Sequence, residues 1–109
     1  MKFTVAVDGR EGVTTIALSG ELDLESAEDL ERAINGLIAD GHSRVVVDLR
    51  ELTFCDSVGL NTLVRATKHC EEVGGWLRIV HPTGQVADVL RIAGLYDFLS
   101  SGSRTAEEA

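Results

Sequence analysis

The stretch Cys55-Asp56-Ser57-Val58-Gly59 carries the side chains best suited to chemistry in this sequence. Its spacing is close to Gly-x-Ser-x-Gly, a strained strand-to-helix turn that exposes a nucleophilic serine. The match is incomplete, because Cys55 replaces the first glycine and no Gly-rich oxyanion loop is present. The histidine and aspartates after Ser57 also follow in the wrong chain order for a catalytic triad of that kind. A small serine or cysteine hydrolase is therefore a disfavoured interpretation.

Other reactive side chains lack the partners that their chemistry requires. Asp48 could accept a phosphoryl group, but neither lysine, Lys2 or Lys68, lies near the end of the chain where such a site needs one. Asp48 is more simply a strand-end residue that binds nearby backbone. The three histidines lack metal-ligand spacing, and the chain has neither Gly-x-Gly-x-x-Gly nor a Gly-x-x-x-x-Gly-Lys loop. We expect no metal site, no cofactor and no catalysis.

An unusual helix start remains at Asp56-Ser57-Val58-Gly59. An aspartate before a helix is ordinary capping chemistry. A glycine in the first helical turn costs about 1 kcal/mol relative to alanine, so Gly59 suggests a bare surface that something approaches closely. Ser57 would then stand exposed at a helix N-terminus, where the free backbone N–H groups favour a phosphate.

Composition limits the partners of the chain. The 109 residues include 10 basic and 18 acidic side chains, for a formal net charge of −8, and 44% are hydrophobic. This composition supports one folded domain and argues against partners held through phosphates, namely nucleic acid and anionic membranes. No apolar run approaches the ~20 residues of a membrane helix, and no signal peptide is recognisable. We expect a cytoplasmic protein whose cysteines, Cys55 and Cys70, stay as free thiols.

The elements that must position these residues follow from hydrophobic periodicity. Alternating or β-branched runs predict strands at residues 3–7, 13–19, 44–49 and 76–80, with a last short strand at 95–99. Helical spacing predicts helices at residues 24–40 and 57–73 and a third between Thr83 and Gly94, with Asp23 and Thr83 as N-caps. The first two strands form a hairpin around a turn at residues 8–12, and the run at 44–49 predicts a central parallel strand covered on both faces.

These elements predict an α/β fold with a mixed, mostly parallel sheet of four to five strands, an N-terminal antiparallel hairpin and three to four helices. Sites in such folds lie at the carboxyl ends of strands, which directs attention to residues 50–59 and to His81-Pro82. We expect one domain over residues 1–99 and a frayed polar tail over residues 100–109.

The sequence resembles the STAS domain, specifically the anti-sigma-factor antagonists. The resemblance covers about residues 3 to 99, and its most specific part is the Asp-Ser-x-Gly-Leu stretch from Asp56 to Leu60. Supporting segments are Val45 to Leu49, Gly20 to Asp23 and Ala93 to Leu95. The sequence departs from many members at Val58, where they carry a second small polar residue.

The resemblance implies a bacterial regulator that binds an anti-sigma factor and so releases a sigma factor. That anti-sigma factor is a serine kinase, which phosphorylates the serine of the motif, here Ser57, and a protein phosphatase reverses the modification. On this interpretation the candidate partner-binding residues are Asp23, Asp56, Ser57, Val58, Gly59 and Asn61, with Asp23 either at the rim of that surface or a helix cap only. An alternative is a STAS subunit of a transport or multiprotein signalling complex in which Ser57 is never phosphorylated.

Overall fold

The chain folds as a hairpin followed by alternating helices and strands. The structure is a computed structural model and describes residues 3–101. Its elements are β1 (Thr4–Arg10), β2 (Val13–Leu22), α1 (Leu24–Ala39), β3 (Arg44–Cys55), α2 (Ser57–Glu72), β4 (Trp76–Val80), α3 (Gly84–Ile92) and α4 (Tyr96–Ser100). The predicted tail falls mostly on residues 102–109, outside the described residues.

The four strands form one sheet in the order β1-β2-β3-β4. β1 pairs with β2 antiparallel, whereas β2 with β3 and β3 with β4 pair in parallel. The α/β fold, the mixed sheet and the N-terminal hairpin are therefore confirmed. The predicted five-residue turn is wrong, because Arg10 pairs with Val13 and leaves only Glu11 and Gly12 in the turn. Both have positive φ angles, 55° and 83°, which suits a tight hairpin turn.

The core lies on one face of the sheet, where all four helices contribute to a single hydrophobic cluster. On β3 the side chains of Val45, Val47 and Leu49 are fully buried, whereas Val46 and Asp48 between them are only half-buried. β3 is an interior parallel strand, as predicted. The expectation that it is covered on both faces is wrong, because the helices pack against one face only.

The predicted ends of the first three strands also change, most of all that of β3. β3 continues beyond Leu49 to Cys55, and its burial alternation breaks at the exposed Arg50 and Glu51, which hides the second half of the strand from a period-2 search. Register shifts in its pairing with β2 accompany this irregular stretch. Within the candidate region at residues 50–59, residues 50–55 therefore belong to β3, and the segment that follows the strand begins at Asp56.

The last predicted strand is a helix. Residues Tyr96–Ser100 form α4, in which the Leu99 N–H donates to the Leu95 carbonyl at 3.0 Å. Leu99 is fully buried and Leu95, four residues earlier, is half-buried, so the short apolar run follows helical rather than strand spacing. Within residues 3–101, none of the helices has the length and apolar character needed to span a membrane.

Candidate functional site

The carboxyl ends of β2 and β3 place the predicted site residues side by side. Leu22 and Cys55 are register partners at the ends of these parallel strands. The next residues, Asp23 and Asp56, are the N-caps of α1 and α2. The fold therefore places Asp23, Asp56 and Ser57 at the same edge of the sheet. This is the edge, at the carboxyl ends of the strands, where the sequence analysis predicts a site.

Asp56 is fixed by hydrogen bonds on both sides. Its carboxylate accepts from the Gly59 N–H at 2.9 Å, which caps the first turn of α2. Its own N–H donates to the Leu22 carbonyl at 3.2 Å, which ties the start of α2 to the end of β2. The backbone on either side of Ser57 is therefore held in place.

Ser57 is the first residue of α2, and its side chain is exposed. No hydrogen bond from its hydroxyl to another residue is found in the described part of the chain. The first turn of α2 contains no acidic residue, so the fixed negative charge beside this hydroxyl at the positive end of the helix dipole is that of the N-cap, Asp56. The hydroxyl at this position is therefore open to solvent.

Gly59 is buried against its own chain. A β-carbon at this position would lie 2.6 Å from the Leu22 carbonyl oxygen and 2.7 Å from the Cγ atom of the Leu22 side chain. The sequence-based explanation, a bare surface for an approaching partner, is therefore wrong. Glycine is needed here because α2 packs directly on the end of β2.

Val58 and Asn61 lie on the first turns of α2 beside Ser57. Val58 is half-buried and Asn61 is exposed. Asn61 is four residues after Ser57, and this spacing places both on the same face of the helix. The Val58 carbonyl accepts from the buried Thr62 hydroxyl at 3.0 Å. On α2, the exposed part of the candidate site therefore consists of Ser57, Asn61 and part of Val58.

Asp23 is a half-buried helix cap at the neighbouring strand end. Its carboxylate accepts from the N–H groups of Glu25 and Ser26 at 3.0 and 3.2 Å. The Ser26 side chain accepts from the Asp23 N–H at 2.9 Å and donates to the Glu21 carbonyl at 2.7 Å. Asp23 is confirmed as the N-cap of α1.

Gln85, in the first turn of α3, contacts the same segment and was not identified from the sequence. Its side-chain oxygen accepts from the Cys55 N–H at 2.9 Å, and its side-chain nitrogen donates to the Cys55 carbonyl at 3.0 Å. Thr83 occupies the N-cap position of α3, as predicted, but forms no side-chain capping bond. No local sequence pattern predicts the role of Gln85, because that role depends on how α3 packs at the end of β3.

The remaining reactive groups have ordinary structural roles. Burial, with a smaller contribution from the Asp56 charge, raises the pKa of the Cys55 thiol to about 12. Burial and the charge of Glu71 raise the pKa of the Cys70 thiol to about 11. Thiols held protonated in this way are poor nucleophiles. The Asp48 carboxylate accepts from the Arg50 N–H at 2.9 Å, the backbone role expected for it. Within residues 3–101, no three His, Cys, Asp or Glu side chains are grouped to hold a metal ion.

Known proteins share this arrangement of sequence and fold. Residues 5–100 match the family model described as "Mlab, STAS domain". RsfB of Mycobacterium tuberculosis, named an anti-sigma-F factor antagonist, is 38% identical over 66 residues, which cover 61% of this chain and 54% of RsfB. The match thus spans about half the length of that curated relative.

Two further relatives match along nearly the whole chain. BtrV of Bordetella bronchiseptica, whose name assigns it provisionally as an anti-sigma factor antagonist, is 31% identical over 110 residues and is covered to 93%. The crystal structure of an anti-sigma factor antagonist from Mycobacterium paratuberculosis is 28% identical, with a TM-score of 0.77 over 98% of this chain and 90% of that one. The family predicted from the Asp-Ser-x-Gly-Leu stretch is confirmed, and the chain belongs to the STAS domain family.

Proposed function

We propose that this chain is an anti-sigma factor antagonist that is switched by phosphorylation of Ser57. In its unmodified form it binds an anti-sigma factor that is also a serine kinase, and this binding frees a sigma factor. The kinase transfers a phosphoryl group from ATP to the Ser57 hydroxyl, and the complex dissociates. A protein phosphatase removes the group by hydrolysis and restores binding. The chain itself, a single domain over residues 1–99 acting in the cytoplasm, catalyses nothing.

The observation that carries this proposal is the geometry of Ser57. Its hydroxyl is exposed and unbonded, whereas the backbone before and after it is fixed through Asp56. A kinase requires a hydroxyl that it can reach, and a fixed backbone presents that hydroxyl in one position. Ser26 offers less, since it is buried and its hydroxyl already donates to the Glu21 carbonyl.

The surface around Ser57 suits a partner with basic and apolar groups. Val58 and Asn61 continue this surface along α2, and Leu24, at the start of α1, is 71% exposed. A concavity of about 260 Å³ lies beside Asp23 and is lined largely by carboxylates, which suits a cationic side chain. Its acidic lining residues are Glu21, Asp23, Glu25 and Asp29. Gly59 contributes indirectly, by allowing α2 to pack against β2.

The switch follows from the different environments of Ser57 in the free chain and in the complex. A phosphoserine adds about −1.5 to −2 charges at neutral pH. In the free chain the helix N-terminus stabilises this charge, so the fold is retained. In an interface formed around a neutral hydroxyl, the dianion loses its hydration without a matched partner, at a cost of several kcal/mol in order of magnitude. Since about 1.4 kcal/mol is a tenfold change in affinity, the affinity falls about a hundredfold or more.

The test is phosphorylation of the full chain by purified anti-sigma factor kinases from its source organism. Intact mass after incubation with ATP should show the addition of one phosphoryl group, and peptide mapping should place it on Ser57. The matched Ser57→Ala variant should remain unmodified. Modification that persists in Ser57→Ala would place the acceptor elsewhere and contradict the proposal.

Co-purification from the same cells separates the alternatives. A kinase bound to the tagged chain supports the proposal, whereas a transport ATPase in its place supports the transport-complex alternative. Saturable ATP binding or substrate turnover by the isolated chain would support an enzyme instead.

A further inference from the structure

We propose that Gln85 is a positioning residue for Ser57, because its side chain holds the backbone segment from which the serine projects. The effect of Gln85 on phosphorylation rests on the proposed function. The contact between α3 and β3 does not, because the structure shows it directly.

Within the described residues, the second half of β3 lacks a neighbouring strand on its β4 side. β4 pairs with β3 only from Arg44 to Asp48 in β3, so the second half of that strand extends past the end of β4. At Cys55, the last residue of β3, Gln85 binds both the N–H and the carbonyl, at 2.9 and 3.0 Å. A side-chain amide thus supplies the donor and the acceptor that a neighbouring strand would supply. These two bonds fix the peptide groups on either side of Cys55, the second of which joins Cys55 to Asp56, the residue before Ser57.

The second argument concerns the start of α3. Thr83 forms no side-chain capping bond there, so the first turn is not secured in the usual way. The connection from β4 contains one left-handed residue, His81 with φ of 59°, and Gly84, the first residue of α3, also has a positive φ of 55°. Non-glycine residues rarely adopt such a conformation, and it persists where surrounding contacts maintain it. The bonds from Gln85 to Cys55 anchor the start of α3 and direct its first turn toward the Ser57 segment.

The third argument is that the segment has few other external supports. The Leu22 carbonyl holds the Asp56 N–H from β2, and the Asp56 carboxylate holds the first turn of α2. Among the described residues, Gln85 is the one that reaches this backbone through its side chain from a separate element. Loss of its amide should therefore loosen Ser57 without unfolding the chain.

The direct structural test is amide hydrogen exchange in the full chain, with two variants and a control. Gln85→Met keeps the length of the side chain and removes both hydrogen bonds, and Gln85→Glu keeps an acceptor for the Cys55 N–H and loses the donor. Asp88→Asn, one turn later on the exposed side of α3, is the matched control. We expect Cys55 N–H exchange to rise about tenfold or more in Gln85→Met and less in Gln85→Glu, with the control unchanged. Unchanged exchange in Gln85→Met would overturn the proposal.

The functional readout is steady-state phosphorylation by the kinase that modifies the wild-type chain. A looser segment presents the hydroxyl correctly for less of the time, so kcat should fall about tenfold in Gln85→Met while KM changes less. Gln85→Glu should retain an intermediate kcat, and the thermal midpoints of both variants should stay within about 5 °C of wild type.

The outcomes separate this proposal from the proposed function. An unchanged kcat in Gln85→Met, or a fall that merely follows a general loss of thermal stability, would overturn the positioning role. A wild-type chain that no kinase modifies would instead overturn the phosphorylation switch, and with it the role of Gln85 in phosphorylation.

Discussion

Gly59 on α2 packs against Leu22 at the end of β2 so closely that a β-carbon on Gly59 would lie 2.6 Å from the Leu22 carbonyl oxygen. The same carbonyl accepts the Asp56 N–H at 3.2 Å. Leu22 therefore fixes both the cap residue of α2 and its first turn, with Ser57 between them. The exposed serine depends on a buried contact directly beneath it.

The first prediction is that Gly59→Ala destabilises the fold. The added methyl group meets backbone and must displace α2 from β2, at a cost of about 1–3 kcal/mol or more in the free energy of unfolding. Urea denaturation measures this change. Gly36→Ala is the matched control, because Gly36 lies in α1 with no atom within 4 Å of an added β-carbon. That control should stabilise the chain by about 0.5–1 kcal/mol, and equal effects at both positions would contradict the packing account.

The second prediction separates the two roles of Asp23. Asparagine caps helices about as well as aspartate, so Asp23→Asn should leave the thermal midpoint nearly unchanged. Asp23→Ala should cost about 1 kcal/mol of stability because the bonds to Glu25 and Ser26 are lost. If the charge also serves partner binding, as proposed, both variants weaken binding to the kinase and lower its dependence on salt. Calorimetric titration at two ionic strengths measures this, and wild-type affinity in Asp23→Asn would limit Asp23 to capping.

The third prediction concerns the buried thiols. Because burial raises the pKa of Cys55 to about 12 and of Cys70 to about 11, both should react with Ellman's reagent at pH 8 at least about a hundredfold more slowly than in the urea-unfolded chain. Unfolded thiols ionise near their ordinary pKa, so above that pH the unfolded chain binds fewer protons than the folded chain. The free energy of unfolding should therefore be insensitive to these thiols below about pH 9 and fall between about pH 9 and 12. Rapid labelling of the native chain would contradict this.

Local patterns were sufficient to predict most elements and the general location of the site. The helical spacing of Ala27, Leu30 and Ile34 identifies α1, because these side chains face the core. The β-branched run at Val45 to Val47 identifies β3, in which Val45 and Val47 face the core. The run at residues 95–99 was ambiguous, since a five-residue segment with four apolar or aromatic side chains suits a strand or one helical turn equally.

Tertiary contacts explain what the sequence could not predict. The cost of a helical glycine at position 59 was evident, but its cause, the Leu22 carbonyl, lies 37 positions earlier and becomes visible only in the fold. The contact between Gln85 and Cys55 joins residues 30 positions apart and leaves no local pattern. Ser57 could be proposed from the sequence because the capping residue and the family motif are contiguous along the chain.

The fourth prediction concerns substitutions at Ser57 itself. Ser57→Asp places a negative charge at the N-terminus of α2, where the helix dipole favours it, so its thermal midpoint should lie within a few degrees of wild type. The same variant should bind the kinase weakly, whereas Ser57→Ala should bind it and resist release by ATP. Thermal melting and calorimetric titration measure the two properties. A collapsed thermal transition in Ser57→Asp would show that the switch acts through unfolding rather than at the interface.

The most direct measurement of the switch is the dissociation constant of the kinase for the chain before and after enzymatic phosphorylation of Ser57. We predict that the phosphorylated chain binds at least about a hundredfold more weakly, in line with the desolvation of an unmatched dianion, and that phosphatase treatment restores the original affinity. Equal affinity of the two forms would contradict the account.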